Sequence, residues 1–431
     1  MWPFNRKAQT EQRDIQYSPN LSVYLAAQSR SALATTGVQV TPETAMRMMA
    51  VYACVRLIAE DLASLPLPIY RRLEPRGKER VPNYPLYPLL HDQPNPEMTS
   101  FQFRETMMVN LLTRGNAFAE IMRADGWPVA LWPIPASRVS ARRLTANGEL
   151  EYLITPPTGG PTRLPASQMF HIPGLSVDGV WGLSPIQMAQ ESIGLGIAAE
   201  AFAAGFFGNG ARPSMVLYHP ATLSPEAHEQ LRSEFETTQT GLSNAQRVAL
   251  LEEGMTVKEL TIPPGDAQFI EQRKFSVEEI ARLFRVQPFK IGHHERSTFN
   301  NIEHLGIDHV VSTIRPWAVR WEQAIRKDLI PEEERNVFFA EFLTAGLLRG
   351  DHAARAEFYR TLWNLGALSS NDIRELENLN PVEGGDTYYV PLNMMPAGGS
   401  PTDQAQRMRL LEALGTNGHE VRTEEPIWSW S

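Results

Sequence analysis

The pattern of apolar and polar positions becomes regular after residue 40, where large apolar side chains recur at spacings of three and four. This spacing predicts a helix with one buried face. The side chains are Met48, Tyr52, Val55, Ile58 and Leu62. Thr41 is the predicted N-cap and Pro42 the first helical residue, where a missing N–H costs nothing. Residues 1–40 are polar and irregular, so we expect a poorly ordered arm there.

Residues 100–114 have the pattern of a second helix, and the pattern changes between residues 115 and 172 to short segments that turn residues separate. Asp125-Gly126 and Asn147-Gly148 are dipeptides typical of two-residue hairpins. This region is therefore predicted to be α+β with an antiparallel sheet.

The stretch from Arg71 to Arg80 holds five basic residues around Gly77. One interpretation is a patch that contacts DNA. The other is the solvated tip of a hairpin, which we favour because runs of charged residues usually lie on solvated surfaces.

A long helix is predicted to begin at Ser184 and to run unbroken to about Phe207, before Gly208-Asn209-Gly210 ends it. Its second half is rich in glycine and alanine, which allows close approach of another helix. Gly194, Gly196 and Ala199 also match the loose dinucleotide pattern G-x-G-x-x-A, but that motif needs a strand and a tight turn before the helix. Because these residues lie in the middle of a predicted helix, we favour packing over nucleotide binding.

The chain then continues with a short module of strand, helix and strand up to about Leu260. A further helix opens at Asp266 and ends at Pro288, and residues 289–300 are predicted to form a polar loop. A third long helix covers about residues 300–329. Pro316 inside it predicts a kink near residues 312–316, since proline removes a backbone hydrogen bond and clashes with the preceding turn.

The last part of the chain alternates short elements. Residues 335–344 have the pattern of a strand. Residues 351–378 predict two short helices broken at Gly366, and the segment after Pro396 is polar apart from a short amphipathic stretch.

Composition is that of an ordinary globular protein, with 42% hydrophobic and 21% charged residues. No apolar run is long enough for a membrane span, and no signal peptide is evident at the start. Cys54 is the only cysteine, which excludes an internal disulfide and a zinc site of several thiolates. The formal net charge of −9 argues against tight DNA binding but is compatible with a surface along which DNA slides.

Candidate chemistry is sparse. The sequence has no P-loop and no G-x-S-x-G nucleophile motif. His293-His294 beside Glu295 could bind a metal, but adjacent histidines in an extended loop point in opposite directions, so we favour a solvated loop. We therefore predict that the chain is not an enzyme and holds no cofactor or metal.

Several collinear stretches between residues 45 and 345 resemble the portal proteins of tailed phages, specifically the HK97-type family. They are Ala53–Glu60, Arg114–Ala117, Gly182–Ile186, Phe206–Pro213, Gly265–Glu271, Val277–Phe284 and Thr298–Glu303. One departure is Gln287-Pro288, where many relatives carry two successive prolines. We expect this departure to loosen the turn after the helix.

The resemblance implies an α+β portal fold that assembles as a ring. Its parts would be an N-terminal arm (1–40), a wing (41–183), a stem helix (184–210), a clip (211–262), a second stem helix (263–288), a tunnel loop (289–300), a long kinked helix returning to the wing (301–345), a crown (346–395) and a poorly ordered tail (396–431). The predicted kink at Pro316 lies where the family has one.

The resemblance also implies a function. The chain would be one of twelve copies that form a channel at a single capsid vertex, through which double-stranded DNA is packaged and ejected. Its partners would be the terminase large subunit, head–tail connector or adaptor proteins, and the major capsid and scaffold proteins, without any membrane. It would be assembled in the host cytoplasm and reside in the virion.

In such a ring the residues of the tunnel loop would line the channel. These are His293, His294, Glu295, Arg296, Ser297 and Thr298. Arg273 and Lys274 on the second stem helix are candidates for basic belts in the lumen, and intersubunit salt bridges are the alternative for both. Two other functional classes stay open, namely another ring-forming connector protein and a nucleotide-binding enzyme that uses Gly194 and Gly196.

Overall fold

The computed structural model divides the chain into two compact units, Met1–Leu348 and Arg349–Ser431. The structure describes residues 32–143, 150–208, 215–219, 222–239, 255–259, 266–292, 305–344, 352–377 and 379–389. Within this part of the chain, no helix is long and apolar enough to cross a membrane.

Nine α-helices lie among the described residues of the first unit. They are α1 (Pro42–Ala45), α2 (Met49–Ser64), α3 (Tyr87–His91), α4 (Ser100–Arg114), α5 (Pro185–Met188), α6 (Gln190–Gly208), α7 (Pro225–Gln239), α8 (Asp266–Phe284) and α9 (Arg315–Asp328). A π-helical segment, His309–Ile314, directly precedes α9. The second unit contains α10 (His352–Asn364) and α11 (Ser370–Leu376), and Gly366 between them has a left-handed φ of 65°. The break predicted at Gly366 is confirmed.

Among the described residues, all strands belong to the first unit and pair in small antiparallel sheets. They are β1 (Ile69–Arg72), β2 (Lys78–Arg80), β3 (Asn116–Ala124), β4 (Trp127–Ile134), β5 (Val139–Arg143), β6 (Leu150–Ile154), β7 (Thr162–Pro165), β8 (Met169–Pro173), β9 (Met215–Tyr218), β10 (Thr256–Glu259) and β11 (Phe338–Ala340). The sheet orders are β11-β1-β2, β4-β3-β8, β5-β6-β7 and β10-β9. Helices with separate antiparallel sheets confirm the predicted α+β class.

The predicted turn at Asp125-Gly126 joins β3 to β4. Both residues have positive φ, 50° and 85°, as a two-residue hairpin of this type requires. Asn147-Gly148, the other predicted turn, lies outside the described residues.

Trp321 is the centre of the larger core. The side chain is fully buried, and its Nε1 donates to Met108 Sδ at 3.2 Å. Its ring meets Phe103 of α4, Phe170 of β8 and Phe342 after β11 edge-on, with centroids 5.9–6.4 Å apart. One indole therefore joins a helix, the edge strand β8 and the segment that follows β11, in the geometry that aromatic rings prefer.

His171 lies in a smaller core between two of the sheets. Its Nδ1 is 2.9 Å from the Tyr152 hydroxyl and its Nε2 is 3.0 Å from Asn116 Oδ1. Burial lowers the pKa of this imidazole to about 3, so it is neutral, with one ring nitrogen accepting and the other donating. Buried polar side chains thus tie β6, β8 and β3 together without a charge.

The first predicted helix differs from the observed one. Thr41 caps only the four residues of α1, and α2 begins at Met49. The buried stripe of α2 passes through Val51, Cys54, Val55 and Ile58, all fully buried, whereas Tyr52 is 45% exposed. The prediction for Tyr52 was wrong: its N–H bonds to the Met48 carbonyl as in a continuing helix, but its side chain lies in the first turn at the edge of the buried stripe.

Other predicted boundaries also shift. The helix expected to run unbroken from Ser184 is divided at Ala189 into α5 and α6. The strand expected over residues 335–344 is confined to β11. Residues 247–254, part of a predicted strand, lie outside the described residues.

Candidate functional site

Two glycines of α6 lie close to other parts of the fold, Gly196 against Met48 and α8 and Gly194 against the segment before α1. A Cβ on Gly196 would lie 2.6 Å from Met48 Cε and 2.9 Å from Ser276 Oγ on α8. A Cβ on Gly194 would lie 2.5 Å from Ala34 Cβ, closer than real Cβ contacts. Both glycines are within α6, with neither a strand nor a tight turn directly before them. The packing interpretation is therefore supported, and the G-x-G-x-x-A match lacks the setting that a dinucleotide needs.

Helix α6 is apolar on nearly all sides. Glu200 is the only charged residue between Ser192 and Gly208. Nevertheless Leu195 is 48% exposed and Phe202 53% exposed, and Phe275 on the neighbouring α8 is 54% exposed. A helix that is apolar all round is normally buried, so a single chain leaves this surface incompletely covered.

A Schellman motif ends α8. Val286 N–H donates to the Ala281 carbonyl and Arg285 N–H to the Arg282 carbonyl, while Arg285 adopts a left-handed φ of 57°. The Thr313 hydroxyl also donates to the Arg285 carbonyl at 2.5 Å. This unusual non-glycine C′ position is thus held by a contact from the segment that returns after residue 305.

The turn after α8 is ordered further than the sequence predicts. Residues Pro288–Ile291 form a 3-10 turn, although residues 289–300 were predicted to be loop throughout. Ile291 is half-buried against the main core, which explains why this part is not a solvated loop. Gly292 closes the turn with a left-handed φ of 87°.

Gln287 and Asp308 meet at the base of the segment between α8 and the π-helical segment. Gln287 Nε2 donates to Asp308 Oδ2 at 2.8 Å, and the Ser312 hydroxyl donates to Asp308 Oδ1 at 2.7 Å. These two hydrogen bonds lower the pKa of the Asp308 carboxyl. The expectation that Gln287 loosens the turn stays a prediction, and its side chain supplies a cross-link that a proline at this position lacks.

The π-helical segment precedes Pro316, which occupies the first turn of α9. Proline cannot donate to the Ser312 carbonyl, and its ring would clash with that group in a regular α-helix. The residue before this proline, Arg315, donates its N–H to the Val310 carbonyl, five residues back rather than the four of an α-helix. The wider turn relieves the clash. Such segments and prolines are both common at kinks, and the kink itself stays a prediction.

His309 begins the π-helical segment and is 1% exposed. Its Nε2 is 2.9 Å from Asp61 Oδ2 on α2, and its buried Nδ1 has no hydrogen-bond partner within the described part of the chain. Sequence reasoning missed this pair because the two residues are 248 positions apart and neither belongs to a motif.

The structure tests few of the predicted channel residues. Residues His293–Thr298 lie outside the described residues. The side chain of Arg273 does too, although its backbone is part of α8, and Lys274 is exposed on the same helix. Among the described residues, no group of three or more His, Cys, Asp or Glu side chains could hold a metal ion.

Comparison with known proteins identifies the family. The model of the family "Phage portal protein" matches residues 49–378. The portal protein of Enterobacteria phage HK97 is 31% identical over 82% of this chain and 85% of its own length. The probable portal protein of Streptomyces phage phiC31 is 32% identical over 86% and 83%.

Solved structures agree in fold. A chain from the virion of a native gene transfer agent particle superposes with a TM-score of 0.54, at 25% identity, over 79% of this chain and 94% of that one. A portal protein of the HK97 family from Corynebacterium diphtheriae gives a TM-score of 0.55 over 72% and 97%, at 17% identity, and supports the fold alone. On its matched length and its relatives, this chain belongs to the phage portal protein family.

Proposed function

We propose that the chain is one subunit of a ring at a unique capsid vertex, and that double-stranded DNA enters and leaves the particle through this ring. The observation that carries the proposal is the apolar, partly exposed surface of α6. This helix is apolar on nearly all sides, no membrane span accounts for that, and Leu195 and Phe202 remain exposed in the single chain. A second copy of the chain is the partner that would cover them.

A ring needs one head-to-tail interface that repeats until it closes. The exposed apolar residues of α6 and α8 supply such a surface, and the close approach of Gly196 to Ser276 joins the two helices. A ring of twelve subunits has separate support. A chain in the neck of the native gene transfer agent particle, which was computed with C12 symmetry, is 25% identical to this one, with a TM-score of 0.52.

DNA would move through the ring without strong contacts. Each copy carries a formal net charge of −9, so the assembly is strongly acidic and attracts phosphates only locally. Arg273, Lys274 and Arg296 are the proposed basic belts, and residues 293–298 the proposed constriction. An intersubunit salt bridge is the alternative role for each of the three cations.

The chain itself would carry out no catalysis. Its sequence lacks a P-loop, so a separate terminase would hydrolyse ATP and drive packaging while docked on the ring. Head–tail connector proteins would replace the terminase afterwards. The capsid and scaffold proteins would surround the ring during assembly.

Another ring-forming connector is the second candidate. The match to the HK97 portal protein extends over 85% of that protein's length, which favours a portal over a smaller connector. The nucleotide-binding alternative depended on the G-x-G-x-x-A match. That match no longer supports it, because Gly194 and Gly196 face Ala34 and Met48 inside the fold.

Electron microscopy of the purified protein, with native mass spectrometry, tests the proposal. We expect closed rings of about twelve copies with a central channel, and we expect Leu195→Glu with Phe202→Glu to prevent their formation. Val129→Glu, which changes a residue of 53% exposure on β4, is the matched control and should still form rings. Normal rings from the α6 double variant would refute the proposed interface.

A further inference from the structure

The hairpin of β1 and β2 concentrates positive charge in an acidic chain. Residues 69–80 contain five cations and two carboxylates, whereas the whole chain has a net charge of −9. Every residue from Arg71 to Arg80 is exposed. The structure confirms a hairpin, in which Gly77 takes a left-handed φ of 108°, but a hairpin tip needs no such excess of cations.

Pairing register places three of the cations on one face. Arg72 is opposite Lys78 and Tyr70 is opposite Arg80 across β1 and β2, and Tyr70 is also opposite Phe339 of β11. Side chains of such cross-strand pairs share a face of the sheet. This face therefore shows Arg72, Lys78 and Arg80 beside two aromatic rings.

The aromatic rings hold the cations in position. The Arg72 guanidinium lies 5.2 Å from the centroid of Phe339, and Lys78 Nζ lies 4.5 Å from the centroid of Tyr70. Phe339 and Tyr70 stack on each other with centroids 5.8 Å apart. Cation–π contacts orient a charged group without neutralising it, so the cations stay available to an anion while their freedom is reduced.

These cations differ in how readily they could bind an added anion. Lys78 pairs with Glu341, and Arg71 pairs with Glu79 at 2.6 Å. Arg80 donates to the Tyr87 hydroxyl at 2.7 Å. Neither Arg72 nor Arg76, in contrast, has a carboxylate partner in the described ranges. Two arginines with unneutralised charge thus remain at the tip and the outer end of the hairpin.

We propose that this hairpin binds the phosphate backbone of double-stranded DNA, without sequence specificity, at a surface separate from the residues assigned to the channel. Arg72 and Arg76 provide the main contacts, and the aromatic pair Tyr70–Phe339 keeps the first of them oriented. The inference rests on the proposed function only in the choice of polyanion, since a portal works against packaged DNA. Repetition of the hairpin around a ring would add weak contacts together.

Closed circular DNA separates this surface from the channel, because a covalently closed duplex cannot thread a closed ring. We would measure binding of the assembled protein to a relaxed circular plasmid between about 50 and 200 mM salt, a range over which phosphate contacts weaken strongly. Arg72→Glu with Arg76→Glu should weaken binding roughly tenfold or more at the lower salt, and the salt dependence should flatten by about one charge per lost contact.

Two controls make the result specific. Arg47→Glu reverses an exposed arginine between α1 and α2, and we expect it to leave the affinity nearly unchanged. Arg72→Lys with Arg76→Lys keeps the charge and should retain most of the binding. Equal losses of DNA affinity in the Arg47 control and the hairpin variant would overturn the inference. Unchanged DNA affinity in both variants would overturn it too, and would leave an acidic protein as the partner of the hairpin.

Electron microscopy of the same samples distinguishes the two proposals. Absence of rings in the wild-type protein would count against the proposed function. Intact rings that bind circular DNA equally well with and without the hairpin arginines would count against this inference alone.

Discussion

Gln287 and Asp308 are joined by a 2.8 Å hydrogen bond between the side-chain amide and the carboxylate. The bond joins the turn after α8 to the helical residues that precede α9, on either side of residues 293–304. The hydroxyl of Ser312 completes the set of donors to Asp308 at 2.7 Å. The base of the proposed tunnel loop is therefore held by residues outside the loop.

Replacing Gln287 by alanine should loosen this base. Loss of one partly exposed hydrogen bond corresponds to about 0.5–1 kcal/mol, so amide exchange at Gly306–Asp308 should become about two to five times faster. Mass spectrometric hydrogen exchange would measure this rate. Gln187→Ala on α5 is the matched control, and unchanged exchange at residues 306–308 would show that the contact does not support the helix start.

Gly194 and Gly205 occupy the same helix but should respond oppositely to alanine. The new Cβ at position 194 would lie 2.5 Å from Ala34 Cβ, whereas nothing lies within 4 Å at position 205. Gly194→Ala should therefore cost about 1–3 kcal/mol of folding free energy through overpacking. Gly205→Ala should stabilise the chain by about 0.5–1 kcal/mol through a lower unfolded-state entropy. Denaturant unfolding compares them, and equal effects would contradict the packing found at Gly194.

His171 should make the fold sensitive to acid. Its pKa is lowered from 6.5 to about 3 in the folded chain, so the unfolded chain binds a proton more readily between these values. Stability from this residue is complete above pH 6.5 and falls as the pH decreases, by roughly 2 kcal/mol at pH 5.

The groups around His171 affect the same measurement. Lys327 disfavours the imidazolium, Asp178 favours it, and Asp328 accepts from the His171 backbone N–H. Burial raises the pKa of Asp328, so this carboxyl favours the folded state as the pH falls, which opposes the effect of His171. Thermal unfolding of the wild type and of His171→Gln at pH 7 and 5 isolates the histidine, and an identical pH dependence would refute its role.

Cys54 should be inert in the folded chain. Its side chain is fully buried in α2, and burial raises the pKa of the thiol to about 12. The thiolate is the reactive form, so iodoacetamide at pH 8 should modify the native protein hardly at all. The same reagent in denaturant should alkylate one site completely. Rapid native modification, followed by intact mass, would mean that α2 opens locally.

Residues 293–298 should be needed for DNA movement but not for assembly. Their flanks are held by Gln287, Asp308 and the Schellman motif, so deleting the six residues with a short glycine bridge should leave rings intact. Packaging or retention of DNA should be impaired. Counting rings by electron microscopy and packaged DNA by nuclease protection would separate the two effects, and loss of rings would show a structural role for the loop.

Local signals predicted several elements accurately. Helix α4 covers residues 100–114 as expected, and a capping box at Thr99 explains its start. Asp125-Gly126 forms its hairpin because two residues with positive φ determine the turn by themselves. Predictions at Tyr52, Ala189 and residues 289–291 were wrong, and at Ile291 packing against the main core decided the local conformation.

The sequence by itself determined the class, the order of the elements and the family, because helical period, turn dipeptides and collinear motifs are all local properties. Only the tertiary structure decided which residues of those elements meet. Gly194 lies against Ala34, His309 against Asp61, and Gln287 against Asp308. Such contacts depend on how close-packed elements far apart in the chain interlock, and no local pattern encodes that.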